Sequence, residues 1–172
     1  MSSATKNIKL FLYKYFPVIL LFIAILNELD FNYLDLRYFS FNFSYILIFY
    51  YSIKRSQSLG YIYVFIAGLF NDVVVGTPVG LSSLMFLILC VAASYLRNIT
   101  LRPSLIKDGI FFLITILIIN SLLFIALNFI FDYEIDFFDQ IINITFTFLL
   151  YFLFSNIFNF CEKYLMGNSN VK

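Results

Sequence analysis

The residues able to do chemistry gather in one stretch, Ala67-Gly68-Leu69-Phe70-Asn71-Asp72-Val73-Val74-Val75-Gly76-Thr77-Pro78-Val79-Gly80-Leu81. Asp72 is a carboxylate bordered by Leu69-Phe70 and by Val73-Val74-Val75. Such a group is costly in lipid, so it must hold a cation, a proton or a partner helix, or else reach water or backbone N–H groups. Gly68, Gly76 and Gly80 are three of the six glycines, and Pro78 is one of the three prolines. Glycine permits backbone shapes closed to other residues, and proline interrupts a helix, so the stretch reads as a helix end, a turn and a helix start.

Other chemistries are poorly served. The chain has no histidine and two cysteines, Cys90 and Cys161, in separate apolar runs without CxxC spacing. A zinc site or a nucleophile–histidine pair therefore lacks its usual residues, and the cysteines read as small apolar packing groups. No GxxxxGK[ST] phosphate loop and no carboxylate pair on one apolar face is visible. No enzyme activity, metal site or cofactor is expected. A net charge of +1 gives no reason to expect nucleic acid. The middles of the apolar segments are uncharged, which weighs against ion-coupled transport by this chain alone.

The elements that must position Asp72 follow from composition. Apolar residues make up 62% of the 172 and charged residues 12%, against about 45–50% and 25% in soluble domains. Several apolar runs approach the ~20 residues that cross a bilayer. The expected fold is all-α, a single polytopic membrane domain over 1–172 with six transmembrane helices at about 15–29, 38–53, 59–75, 81–96, 109–131 and 140–160. The basic start before the first apolar run resembles a secretory signal. That run ends in Asn27-Glu28-Leu29-Asp30 without a small-x-small cleavage site, so a retained helix is expected. The second segment carries Asn42 and Ser44 near its start and is the weakest apolar run of the six.

Six helices with an internal N-terminus put ten of the eleven Lys and Arg residues on one side, all but Arg37. The positive-inside rule makes that side the cytoplasm, with both termini there. Residues 97–108 are then a basic inner loop, 132–139 an acidic outer loop and 161–172 a polar tail. Asp72 moves to the outer end of the third helix, where bonding to N–H groups of the turn competes with ligand or partner binding. Position favours the first. Gly68, four residues earlier, shares its face, and Gly60, Ala67 and Gly68 form with Asp72 a stripe along which helices can approach closely. Asn120, Ser121 and Asn128, and Asn143, Thr145 and Thr147, read as polar stripes that hydrogen-bond inside the bundle.

The run Gly68-Leu69-Phe70-Asn71-Asp72 followed by Gly76-Thr77-Pro78-Val79-Gly80-Leu81 resembles the signature of MreD, the rod-shape-determining membrane protein family of bacteria. In that family a G-L-x-x-D segment ends one helix, and a Pro- and Gly-containing turn followed by Leu opens the next. Chain length, the small polytopic build and the basic turn Lys54-Arg55 fit the resemblance as well. It implies a non-enzymatic component of the machinery that builds the lateral cell wall and sets cell shape. Binding of MreC is implied, together with action alongside the actin-like MreB, the glycan polymerase RodA and its class B penicillin-binding transpeptidase, within membrane lipid. Gly68, Asp72, Gly76, Pro78 and Gly80 would then form a structural or docking motif.

The family is also similar in fold to substrate-binding subunits of energy-coupling-factor vitamin transporters, which supplies a second reading as an uptake subunit. Those subunits carry small-residue pairs four apart on the first helix, whereas this chain has only Ala24 between Pro17 and Asn27. An accessory subunit of another membrane complex is a third reading.

Overall fold

The computed structural model describes residues 3–26, 41–55, 58–100, 104–132 and 136–166, with side chains from 14 to 163 within those ranges. Six α-helices organise the described residues, and no strand occurs among them. They are α1 (Ser3–Leu26), α2 (Phe43–Lys54), α3 (Tyr61–Val75), α4 (Leu81–Ile99), α5 (Leu105–Ile125) and α6 (Phe137–Met166), with a π-helical turn at Ala126–Ile130 closing α5. Three of them are long and apolar enough to cross a membrane: α4, α5 with its π-helical turn, and α6. The apolar parts of α1 and α3, Lys14–Leu26 and Tyr61–Val75, are shorter.

The helix at the axis is the least typical one. With 12 residues, α2 is about 18 Å long at 1.5 Å per residue, well short of a ~30 Å hydrocarbon core. Every residue from Ser44 to Ile53 is buried, so α2 meets protein on all sides, packing against α1, α4 and α6. Its aromatic rings key it in place. Phe49 lies 4.9 Å from the Phe112 ring of α5, and Tyr50 lies 5.2 Å from Phe158 of α6 and donates a 2.9 Å hydrogen bond to Asn159 Oδ1.

A start near residue 38 is expected from hydropathy; residues 38–40 lie outside the described residues, and the helix begins at Phe43. The physical reason is Asn42. Its Oδ1 accepts the Tyr45 N–H at 3.2 Å, and its own N–H donates to Thr147 Oγ1 of α6 at 2.9 Å. Asn42 is a helix cap, a role that suits a short polar side chain.

Side-chain bonds sort the helix ends into two layers. At one, the C-terminal ends of α2, α4 and α6 meet the start of α5. Arg55 pairs with Glu162 at 3.7 Å, Arg97 donates to the Ser52 carbonyl at 3.4 Å, and Asp108 lies within electrostatic reach of Lys54. At the other, the end of α3 meets the start of α4, and Gln140 of α6 donates to the Asn120 carbonyl of α5 at 2.7 Å.

Two acidic residues differ from expectation. Asp108 belongs to the basic loop 97–108 by hydropathy, yet α5 begins at Leu105 and places Asp108 in its first turn, only 3% exposed. A carboxylate there is favoured by the helix dipole. Glu162 belongs to the polar tail by hydropathy, yet α6 continues through it to Met166 and brings it to Arg55. Residues 167–172 of that tail lie outside the described residues. Cys90 is buried and sits 3.3 Å from Ser52 Oγ, a packing position consistent with its small apolar side chain.

Candidate functional site: the joint between α3 and α4

The last turn of α3 closes on Gly76, which takes the left-handed conformation at φ 78° and ψ 23°. The N–H groups of Gly76 and Thr77 both donate to the Asp72 carbonyl, at 2.9 and 3.0 Å, so the glycine cap closes the last turn of the helix on that carbonyl. A tight turn follows at once. The Leu81 N–H donates to the Pro78 carbonyl at 3.2 Å, and Gly80 sits at φ 99° and ψ −14°, the region of the third residue of a type II turn.

The start of α4 then poses a problem that glycine cannot solve. Gly80 stands at the N-cap without a side chain, so the first N–H groups of α4 need another acceptor. Asp72 supplies it from the preceding helix. Its Oδ2 accepts the Gly80 N–H at 2.7 Å, and its Oδ1 accepts the Ser82 N–H at 2.9 Å and the Thr77 hydroxyl at 2.9 Å. The carboxylate is 0% exposed. Its charge lies against the positive end of the α4 dipole, which favours it there.

The helices are tied below the turn as well. Asn71 Nδ2 donates to Ser82 Oγ at 3.0 Å, and Ser83 Oγ donates to the Phe65 carbonyl at 2.9 Å. At Gly68 the backbones come so close that a Cβ would fall on the Cα of Ser83 and 2.6 Å from its nitrogen. Gly60 has no such neighbour. It is the N-cap of α3 at the opposite end, where an added Cβ would lie 3.4 Å from the Tyr63 ring.

Gly68, Asp72, Gly76, Pro78 and Gly80 therefore meet in one joint, and its chemistry is hydrogen-bond acceptance by a buried carboxylate. Asn71, Thr77, Ser82 and Ser83 complete it, and none of them stands out as a site residue in the sequence. The signal that points to them is a missing cap: Leu81 opens a helix after Gly80 with no Ser, Thr, Asp or Asn at that position. Around the joint Val73, Val75 and Val79 are 71%, 59% and 75% exposed, an apolar rim. In the polar stripe of α5, Asn120 bonds within its own helix, its Nδ2 donating to the Ile116 carbonyl at 2.9 Å. Among the described residues no three His, Cys, Asp or Glu side chains group as metal ligands.

The two left-handed glycines allow a clean test of the turn. A Cβ at Gly76 or Gly80 would meet nothing within 4 Å, so Gly76→Ala or Gly80→Ala costs only the backbone conformation, about 1–2 kcal/mol. Each variant should lower the melting temperature in detergent. An unchanged value for both would mean that the turn does not hold these angles.

A family model described as rod shape-determining protein MreD matches residues 9–166. No match is found among curated proteins or among solved structures.

Proposed function

Because the chain belongs to the rod shape-determining protein MreD family, we propose that it is a non-enzymatic membrane component of the cell-elongation machinery that binds MreC and helps organise lateral peptidoglycan synthesis. The observation that carries this is the family match over residues 9–166. MreB, RodA and a class B penicillin-binding transpeptidase are the further partners proposed. The joint at Gly68, Asp72, Gly76, Pro78 and Gly80 serves in this proposal as a structural element that presents a docking surface. Support comes from the full use of Asp72 as an internal acceptor and from the exposed valines beside it.

The arrangement proposed in the bacterial inner membrane is six membrane helices with both termini cytoplasmic. It is supported by the two layers of helix ends. Lys54, Arg55, Arg97, Lys107 and Lys163 all stand at one, with Asp108 and Glu162 among them, the Lys and Arg asymmetry that the positive-inside rule describes. The short α2 and α3 are included because long neighbours flank them, so that they need not bridge the bilayer alone. A shared fold with substrate-binding subunits of energy-coupling-factor transporters is proposed on helix number and chain length.

The test is co-expression of the tagged chain with MreC in membranes, followed by purification in mild detergent, together with depletion of the chain in its host. MreC should co-purify, and depleted cells should widen and round. Depleted cells of normal width, with MreC absent from the purified protein, would contradict the proposal.

A further inference from the structure

An apolar groove of about 680 Å³ runs along the outward face of α4. Leu84, Leu87, Ile88 and Val91 form its floor, with Phe65 of α3 and Phe111 of α5 as its walls. From Leu84 to Tyr95 it extends about 16 Å at 1.5 Å per residue, close to half of a ~30 Å hydrocarbon core. Its lining is mostly bulky, with Ala92 and, at the turn, Gly80 as the small residues. Helices that dock onto one another in lipid favour small residues, which let backbones approach, and this chain uses that device where α3 meets α4, at Gly68 against Ser83. The groove suits a flexible chain better than a rigid helix.

One end of the groove is polar and basic. Tyr95 lies at that end, and beside it the Tyr61 hydroxyl and Ser94 Oγ are hydrogen-bonded at 3.3 Å. Lys107, exposed in the first turn of α5, is four residues before Phe111 and so stands on the same face, one turn beyond the groove wall. Asn98, exposed and three residues after Tyr95, faces the same level from α4. The neighbouring carboxylate, Asp108, is buried and within reach of Lys54, which leaves the Lys107 charge for an occupant. A basic residue such as Lys107 at the end of a crevice between membrane helices, beside polar Asn98, Tyr61 and Ser94, matches an anionic lipid headgroup.

We propose that this groove is a binding site for an anionic phospholipid, with one acyl chain along α4 and the phosphate at Lys107, Asn98 and the Tyr61–Ser94 pair. The proposal does not depend on MreC binding or on which face of the membrane the basic end occupies.

The test uses the full chain in nanodiscs of phosphatidylcholine with and without phosphatidylglycerol, transferred to detergent and read by native mass spectrometry. The wild type should retain one phospholipid, with phosphatidylglycerol enriched over its share of the bilayer. Lys107→Gln, a surface change, should lower that preference about fivefold, the weight of one basic residue near a charged headgroup. Val91→Trp, at a 62% exposed floor position, should lose the retained lipid of either kind. A Lys107→Gln variant with the wild-type preference would overturn the proposal. So would a photo-reactive residue replacing Val91 that cross-links in cells to protein alone, which would assign the groove to a partner helix.

Discussion

Replacing Asp72 by alanine should lower stability by about 3–5 kcal/mol. Two backbone N–H groups, those of Gly80 and Ser82, and the Thr77 hydroxyl lose their acceptor. Each buried group left unpaired costs about 1–3 kcal/mol, and only the hydroxyl is free to turn elsewhere. Water cannot repair the loss at a site that is 0% exposed. Asp72→Asn is the more informative variant. It keeps the shape but replaces one acceptor oxygen by an NH2 group, which then faces a donor. A carboxylate kept for a proton or a cation would tolerate this change in stability and lose only function. A carboxylate that closes the joint loses stability. Thermal melting in detergent should place Asn near Ala and well below the wild type, with Thr77→Val, which removes a single bond, falling by only about 1 kcal/mol. An Asn variant that melts with the wild type would mean that the carboxylate is not the closing element.

The second large effect should come from Gly68→Ala. In an ordinary helix interior this substitution stabilises by about 1 kcal/mol, so the expected sign is reversed here. A Cβ at Gly68 meets the Cα and nitrogen of Ser83, and backbone atoms cannot turn aside as a side chain can. The helices must separate, which stretches the Ser83–Phe65 bond and draws Ser82 away from Asp72. Overpacking of this kind costs about 1–3 kcal/mol or more. Gly60→Ala is the control, since its Cβ would find only ordinary contact with the Tyr63 ring. Melting temperatures should fall clearly for Gly68→Ala and much less for Gly60→Ala, which gives up only the N-cap preference for glycine; equal values would mean that α3 and α4 do not approach so closely.

Part of the joint can be read from the residues alone. An aspartate followed by Gly76-Thr77-Pro78-Val79-Gly80 describes a helix end and a turn on backbone grounds, and the same run carries the family resemblance that the match over 9–166 extends to most of the chain. The acceptor role of Asp72 stays open at that level because its main partners are backbone N–H groups at the start of the next helix, which leave no side-chain pattern. The axial position of α2 is hidden for another reason. Tyr45-Ile46-Leu47-Ile48-Phe49-Tyr50-Tyr51 is equally apolar whether lipid or protein surrounds it, and hydropathy does not distinguish the two. Asp108 and Glu162 read as loop and tail residues because Lys107 and Lys163 stand beside them. The burial of Asp108 and the half-burial of Glu162 go with Lys54 and Arg55, which stand 54 and 107 residues away in sequence and are brought near by the packing of α2 against its neighbours.

Co-purification of MreC with Val79→Asp tests most directly the claim that the joint presents a docking surface. Val79 is 75% exposed at the tip of the turn, and its side chain takes part in none of the hydrogen bonds that close the joint. A docking role predicts a variant with the wild-type melting temperature that retains little MreC. A variant equally stable that retains MreC at the wild-type level would contradict it.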